Sequence, residues 1–153
     1  MRLAAAVLGS ALLVAAGAQA AGGPAAVSTA YNKQLKTAIL VNAKGFTLYM
    51  WTSDTATQSV CVNDPTYHCS KHWIPLRTTG DPVAKGAAKT ALLGTLTRDD
   101  GTTQVTYKGH PLYTWTGIAP DPGDKKPGQI NGQCYLSLWY VLTPAGKMIT
   151  KGC

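Results

Sequence analysis

The chain contains no glutamate. Its only carboxylate side chains are seven aspartates, Asp54, Asp64, Asp81, Asp99, Asp100, Asp121 and Asp124, set against 14 lysines and arginines for a formal net charge of +7. So few acids leave little material for hydrolytic chemistry. The one adjacent pair, Asp99-Asp100, stands in a turn sequence, where aspartate favours the bend. Neighbouring residues on a strand also face opposite ways, so this is no general acid/base pair. The Gly-x-Ser-x-Gly elbow, the His-Glu-x-x-His zinc motif and any catalytic-cysteine context are missing. Covalent c-type haem is excluded, because His72 stands where the second cysteine of Cys-x-x-Cys-His would be. These absences predict a protein that is not an enzyme and that carries no cofactor.

What is present begins with a leader. "MRLAAAVLGSALLVAAGAQAAGG" has one arginine, an apolar run from Leu3 to Ala16, and Ala18-Gln19-Ala20. A charged start, a short apolar core and a small-x-small site predict a secretory signal peptide over residues 1–20, and hence a secreted or periplasmic protein. The run is too short and alanine-rich for a membrane span, so no transmembrane anchor is expected after cleavage. No cysteine lies near the site to take a lipid. The remainder is one domain's worth of chain.

Export sets the redox state. The four cysteines, Cys61, Cys69, Cys134 and Cys153, read as two disulfides. Three pairings are possible; the local one, Cys61–Cys69 with Cys134–Cys153, is the expectation. Each short loop would stabilise by roughly 2–3 kcal/mol. The basic excess favours anionic partners: polysaccharide, phospholipid headgroups or nucleic acid. Apart from Lys125-Lys126 the lysines are scattered singly, with no stripe suited to sequence-specific nucleic-acid binding.

The chain also repeats itself. "VNAKGFTLYMWTSD" at 41–54 and "VTYKGHPLYTWTG" at 105–117 share Val, Lys, Gly, Leu, Tyr, Trp and Thr at one offset of 64 residues, from Val41/Val105 to Thr52/Thr116. Each reads as a hairpin, turning at Asn42–Gly45 and at Lys108-Gly109. On a strand, Tyr49 and Trp51 share one face, as do Tyr113 and Trp115, while Leu48 and Met50 point the other way. Each copy is followed by a Cys, a Trp and a Leu: Cys69, Trp73, Leu76, then Cys134, Trp139, Leu142. Further hairpins are expected at Asp99-Asp100-Gly101 and Pro144-Ala145-Gly146. A short helix is expected over Thr66–His72, capped by Asp64 with Pro65 first. Residues 21–36 read as a flexible lead-in and 117–133 as a long, functional or mobile loop. The expected fold is all-β, mostly antiparallel hairpins in two related repeats (about 38–77 and 92–143) within a single domain over 37–153.

Tyr49, Trp51 and Asp54 fit the signature Tyr-x-(Phe/Trp/Tyr)-x-x-Asp. With Cys61, Cys69, Trp73, Pro75, Leu76, "TRDDG" at 97–101, "YKGHPLY" at 107–113 and the late "LWYVL", the span from about Ala38 to Leu142 resembles a bacterial family of secreted proteins and lipoproteins described as a secreted repeat of unknown function. The resemblance implies architecture and compartment but no reaction. The second copy departs from the signature: Ile118 stands five positions after Tyr113. An insertion, "IAPDPG", would make Asp124 the motif aspartate; Asp121 is the other candidate.

Three candidate sites follow. The motif residues Tyr49, Trp51, Asp54, Tyr113, Trp115 and Asp124 are expected to be structural, with Asp54 accepting backbone N–H groups or the Tyr49 hydroxyl. If a ligand exists, an anionic or aromatic small molecule or a cell-envelope component is expected near Tyr113, Trp115, Lys125 and Lys126, with the first copy's pair as core. His68 and His72 would share a helical face as i, i+4 and could hold a metal, with Met50 and Met148 as soft ligands. The reading is an exported, non-enzymatic binding or envelope-associated protein. The alternative is a periplasmic metal-, haem- or electron-transfer-related protein using His68 and His72.

Overall fold

The computed structural model describes residues 22–153. The expected signal peptide lies outside the described residues. Among the described residues the fold is made of four small sheets. The first holds β1 (Ala26–Asn32), β2 (Thr37–Asn42) and β5 (Val83–Ala84), in the order β2-β1-β5. The second, in the order β12-β3-β9-β4, is built from β3 (Tyr49–Trp51), β4 (Trp73–Pro75), β9 (Tyr113–Trp115) and β12 (Trp139–Val141). The third is β6 (Leu93–Thr97), β7 (Thr103–Tyr107) and β8 (His110–Pro111); β10 (Gly117–Ile118) and β11 (Asp121–Pro122) form a ribbon. Every pairing is antiparallel except β1 with β5. The all-β expectation therefore holds, as do the two disulfides, Cys61–Cys69 and Cys134–Cys153.

Alternation along β3 and β9 divides the interior in two. Tyr49, Tyr113 and Trp115, with Trp73, Trp139 and Val141, face one apolar cluster; Leu48, Met50 and Leu112 face the other, with Val27, Leu40, Val105 and Leu142. One sheet with two buried faces explains why both sets of positions are apolar or aromatic.

Four expectations need correction. Residues 26–32 are not a flexible lead-in: β1 pairs with β2 from Val27↔Asn42 to Asn32↔Thr37. Its Ser, Thr and Ala residues show little apolar pattern because backbone bonding to strands on both sides, rather than a greasy face, holds it. The β2–β3 hairpin closes only at its tip, through the Val41↔Thr47 bridge with Gly45 at φ +82. Beyond it β3 leaves for a different sheet. The helix shrinks to α1 (Cys69–His72). Asp64 does cap, its Oδ1 accepting the N–H groups of Thr66 and Tyr67 at 2.9 and 2.6 Å, but His68 at φ +48 ends that turn before a helix can run through. The short Cys61–Cys69 span brings the chain back on itself over these residues. Finally, 117–133 is tied down rather than loose. After the β10–β11 ribbon, Gln129 Oε1 accepts the N–H groups of Lys125 and Lys126, and the Gln133 amide bonds Val141, Ile149 and Lys151. Glutamine and asparagine side chains replace the apolar periodicity that sequence reading depends on.

Candidate functional site

The centre of the molecule is the pairing of β3 with β9, which places Tyr49 directly across from Tyr113. Both rings are fully buried. Their hydroxyls have different partners: each finds the aspartate downstream of the other tyrosine. Tyr49 Oη donates to Asp124 Oδ2 at 2.7 Å, and Tyr113 Oη donates to Asp54 Oδ2 at 2.5 Å. The second carboxylate oxygen accepts a backbone N–H in each case, Asn131 at 2.9 Å on Asp124 and Val60 at 2.8 Å on Asp54. Of the two roles expected for Asp54, it accepts a backbone N–H, that of Val60, and the hydroxyl it accepts is that of Tyr113 rather than Tyr49. Of the two candidates in the second copy, Asp124 makes bonds like those of Asp54, to a tyrosine hydroxyl and a backbone N–H, and Asp121 lies exposed in the ribbon.

Each tyrosine oxygen has a further partner. Gly132 N–H donates to Tyr49 Oη at 3.3 Å, and Ser59 Oγ sits 2.6 Å from Tyr113 Oη. Gly132 has to be glycine, since a Cβ there would lie 2.7 Å from Trp73 Cη2 and 3.1 Å from Tyr49 Cζ. Behind Ser59 lies Arg98, only 7 % exposed. Its guanidinium donates to Ser59 Oγ, to Gln104 Oε1 and to the Cys61 carbonyl, and the Gln104 amide in turn reaches the Leu112 carbonyl at 2.8 Å. Hydrogen bonding of this kind is what allows a charge to sit inside at all.

Above the tyrosines all four tryptophans form one stack. Trp51 lies on Trp139 (ring centroids 5.0 Å, 6° between planes), Trp139 on Trp73 (3.8 Å, 1°) and Trp73 on Trp115 (4.1 Å, 28°). Strand register accounts for this, since Trp139 opposes Trp51 and Trp73 opposes Trp115 across the sheet. Tyr49 meets Trp73 edge-on at 5.4 Å and Tyr113 meets Trp139 edge-on at 5.2 Å. Tyr135 tilts against Trp115 at 4.9 Å.

Burial shapes the protonation of the brace. Loss of water raises the pKa of Asp54 and Asp124, opposed by the tyrosine and backbone hydrogen bonds that favour the carboxylates. Tyr49 and Tyr113 are pushed well above the ordinary value of 10.0, by burial first and by the adjacent carboxylate second. The sign for stability follows. A raised folded-state pKa means the unfolded tyrosines ionise first, so their contribution is complete below pH 10.0 and is lost as pH climbs above it. Urea unfolding measured at rising alkaline pH should show stability falling above that value. The fall should be shallower in Tyr49→Phe/Tyr113→Phe, and an equal slope in the variant would refute the assignment.

The proposed ligand platform on the second copy is corrected by burial. Tyr113 and Trp115 are 0 and 1 % exposed, whereas Trp51, expected to be core, is only partly buried at the open end of the stack. Lys125 and Lys126 are exposed on the loop, and Lys125 Nζ donates to the Thr116 carbonyl. The histidines do not share a helical face. His68 precedes α1 and its Nδ1 lies 3.3 Å from Asn63 Oδ1, while His72 Nδ1 lies 2.8 Å from the Gly117 carbonyl. Among the described residues no group of three or more His, Cys, Asp or Glu side chains is placed to hold a metal ion, and no helix is long and apolar enough to cross a membrane.

Arg98, Ser59 and Gln104 give no sign in the sequence beyond Arg98's place in "TRDDG". The Cys-Trp-Leu echo marked Trp73 and Trp139 without revealing that they would close the stack.

Residues 94–143 match the model of a family described as a secreted repeat of unknown function. That span holds Arg98, Tyr113, Trp115, Asp124 and Trp139, one half of the crossed arrangement. No curated protein and no solved structure matches the chain.

Proposed function

We propose that the protein is an exported, non-enzymatic binding protein whose lysine-bearing face docks on an anionic, phosphate-rich surface of the cell envelope. Tyr49, Tyr113, Asp54 and Asp124 support the non-enzymatic part, because their hydroxyls and carboxylates are spent on one another, on Ser59 and on backbone groups inside the fold. The observation that carries the binding part is the meeting of three lysine-bearing segments. Asn32 Nδ2 donates to the Gly128 carbonyl at 3.1 Å, joining the β1–β2 turn, with Lys33 and Lys36, to the loop of Lys125 and Lys126. Thr47 Oγ1 donates to the Gln129 carbonyl at 2.7 Å, and a Cβ on Gly45 would lie 3.3 Å from Pro127, so the turn of Lys44 meets the same loop.

All five lysines are exposed. The one aspartate on these segments, Asp124, is buried on Tyr49. Among the described residues the only ion pair is Arg77–Asp100, so none of these lysines is paired. These contacts hold the loop of Lys125 and Lys126 against the turns at the two ends of β2, so lysines scattered along the chain contribute to one positive field spread over about the length of that strand.

Vesicle co-sedimentation tests the reading. Protein should bind phosphatidylglycerol vesicles, fail to bind phosphatidylcholine vesicles, and be released by salt. Lys36→Gln/Lys44→Gln/Lys126→Gln should weaken binding by about a hundredfold, at ~1 kcal/mol per lysine near an anionic surface. Lys71→Gln/Lys85→Gln/Lys89→Gln removes the same charge from elsewhere and should cost far less. Equal losses in the two variants would mean that net charge alone drives binding and that the face has no role.

A further inference from the structure

We propose that the tryptophan stack and its two tyrosines form a path for one-electron oxidation, in which an oxidising equivalent taken up at Trp51 comes to rest on Tyr113 or Tyr49.

The geometry has three parts. The first is an entry point. Trp51 is the partly exposed end of the stack, whereas Trp139, Trp73 and Trp115 are 3, 3 and 1 % exposed. The second is continuity. Trp51, Trp139, Trp73 and Trp115 follow one another at 5.0, 3.8 and 4.1 Å between centroids, near-parallel in the first two steps, so neighbouring π-systems overlap without an intervening saturated side chain. The third is a pair of end points. Tyr113 abuts Trp139 and Tyr49 abuts Trp73, and each phenol O–H already donates a hydrogen bond to a carboxylate.

That last feature decides where the charge stops. A tryptophan radical cation can hand its charge along the stack, but a phenol is oxidised readily only if its proton leaves with the electron, because the phenol radical cation is a very strong acid. A positioned base within hydrogen-bond reach supplies that outlet. Burial raises the proton affinity of Asp54 and Asp124, which suits them to the part.

The step balances as follows. A diffusible one-electron oxidant, an oxygen-centred radical or a high-valent metal complex, takes one electron from Trp51 and is reduced. Trp51 is refilled from Trp139. Tyr113 then gives one electron to Trp139 and its proton to Asp54, leaving a neutral tyrosyl radical beside a protonated Asp54. The Tyr49–Trp73–Asp124 branch works in the same way. A one-electron donor of the thiol or ascorbate class restores the phenol, and the proton returns from the aspartate.

Flash oxidation of the intact protein with photogenerated ruthenium(III) tris-bipyridine, followed by transient absorption, tests this. In the wild-type protein the tryptophan radical should decay as a tyrosyl radical grows, and the growth should slow in D2O because a proton moves in that step. In Tyr49→Phe/Tyr113→Phe the tyrosyl signal coupled to tryptophan decay should be lost and the tryptophan radical should persist. Tyrosyl growth that is undiminished in the variant would place the radical on other tyrosines and overturn the proposal. So would tryptophan decay without tyrosyl growth, or growth indifferent to D2O, in the wild-type protein. The wild-type isotope measurement can overturn the proposal even if the double variant does not fold.

Discussion

Trp73→Ala is expected to destabilise the protein by about 3–5 kcal/mol, the range for truncating a buried tryptophan. Trp73 is 3 % exposed and touches aromatic rings on every side: Trp139 at 3.8 Å, Trp115 at 4.1 Å, Tyr49 at 5.4 Å and Tyr135 at 5.8 Å. Its loss opens a cavity in the middle of the stack and takes away the surface on which Tyr49 rests. With total stabilities of domains at about 5–15 kcal/mol, this one change removes a large share. Trp51→Ala, at the partly exposed end with a single stacked neighbour, should cost much less. Urea denaturation of the two variants measures the difference. A loss of under about 1.5 kcal/mol for Trp73→Ala would mean that the stack is not a structural unit.

Asp124→Ala is the second large effect, at about 2–3 kcal/mol. The carboxylate is 7 % exposed and accepts from both Tyr49 Oη and Asn131 N–H. Its removal leaves two donors in a largely buried site, and unmade bonds to a charged acceptor cost more than neutral ones. Asp54→Ala makes an informative contrast. It breaks the equivalent bonds to Tyr113 and Val60, but Asp54 is only partly buried and Tyr113 Oη keeps Ser59 beside it. A smaller loss, about 1–2 kcal/mol, is expected. Thermal or urea unfolding of the pair would contradict this ordering if Asp54→Ala proved the more damaging.

Much of this arrangement was legible in the sequence, and the limits of that legibility have physical causes. The recurrence of Leu, Tyr, Trp and Thr at one offset revealed two similar strands and the faces their aromatics share. Glycines after lysine located the turns, and the expected export together with four cysteines pointed to two short disulfide loops. Partner choice was not legible. A strand's side-chain pattern states which face is buried but not which strand lies beside it, so nothing in "FTLYMWT" reveals that Tyr49 would oppose Tyr113 or that Trp139 would oppose Trp51. Asp54 stands five residues from Tyr49 and seemed its natural partner; the antiparallel β3–β9 pairing carries it to Tyr113 instead. The segment after Tyr113 read as a loose insertion because its order comes from amide side chains and backbone, through Gln129, Asn131 and Gln133, none of which has apolar periodicity. The lysine face was invisible for a related reason. Lys36 and Lys44 flank β2, whereas Lys126 is more than 80 residues further on, and its loop is held to the turns beside them by contacts of Gly128, Pro127 and Gln129.

The brace is crossed: Asp124 holds Tyr49 and Asp54 holds Tyr113, each aspartate serving the tyrosine of the other segment. Double-mutant cycles on unfolding free energy test this most directly. Tyr49→Phe should couple with Asp124→Ala, and Tyr113→Phe with Asp54→Ala, each by about 1 kcal/mol or more, because each pair shares one hydrogen bond. Tyr49→Phe with Asp54→Ala, and Tyr113→Phe with Asp124→Ala, should be additive to within about 0.5 kcal/mol. The reverse pattern, with coupling inside each segment and additivity across them, would contradict the crossed brace.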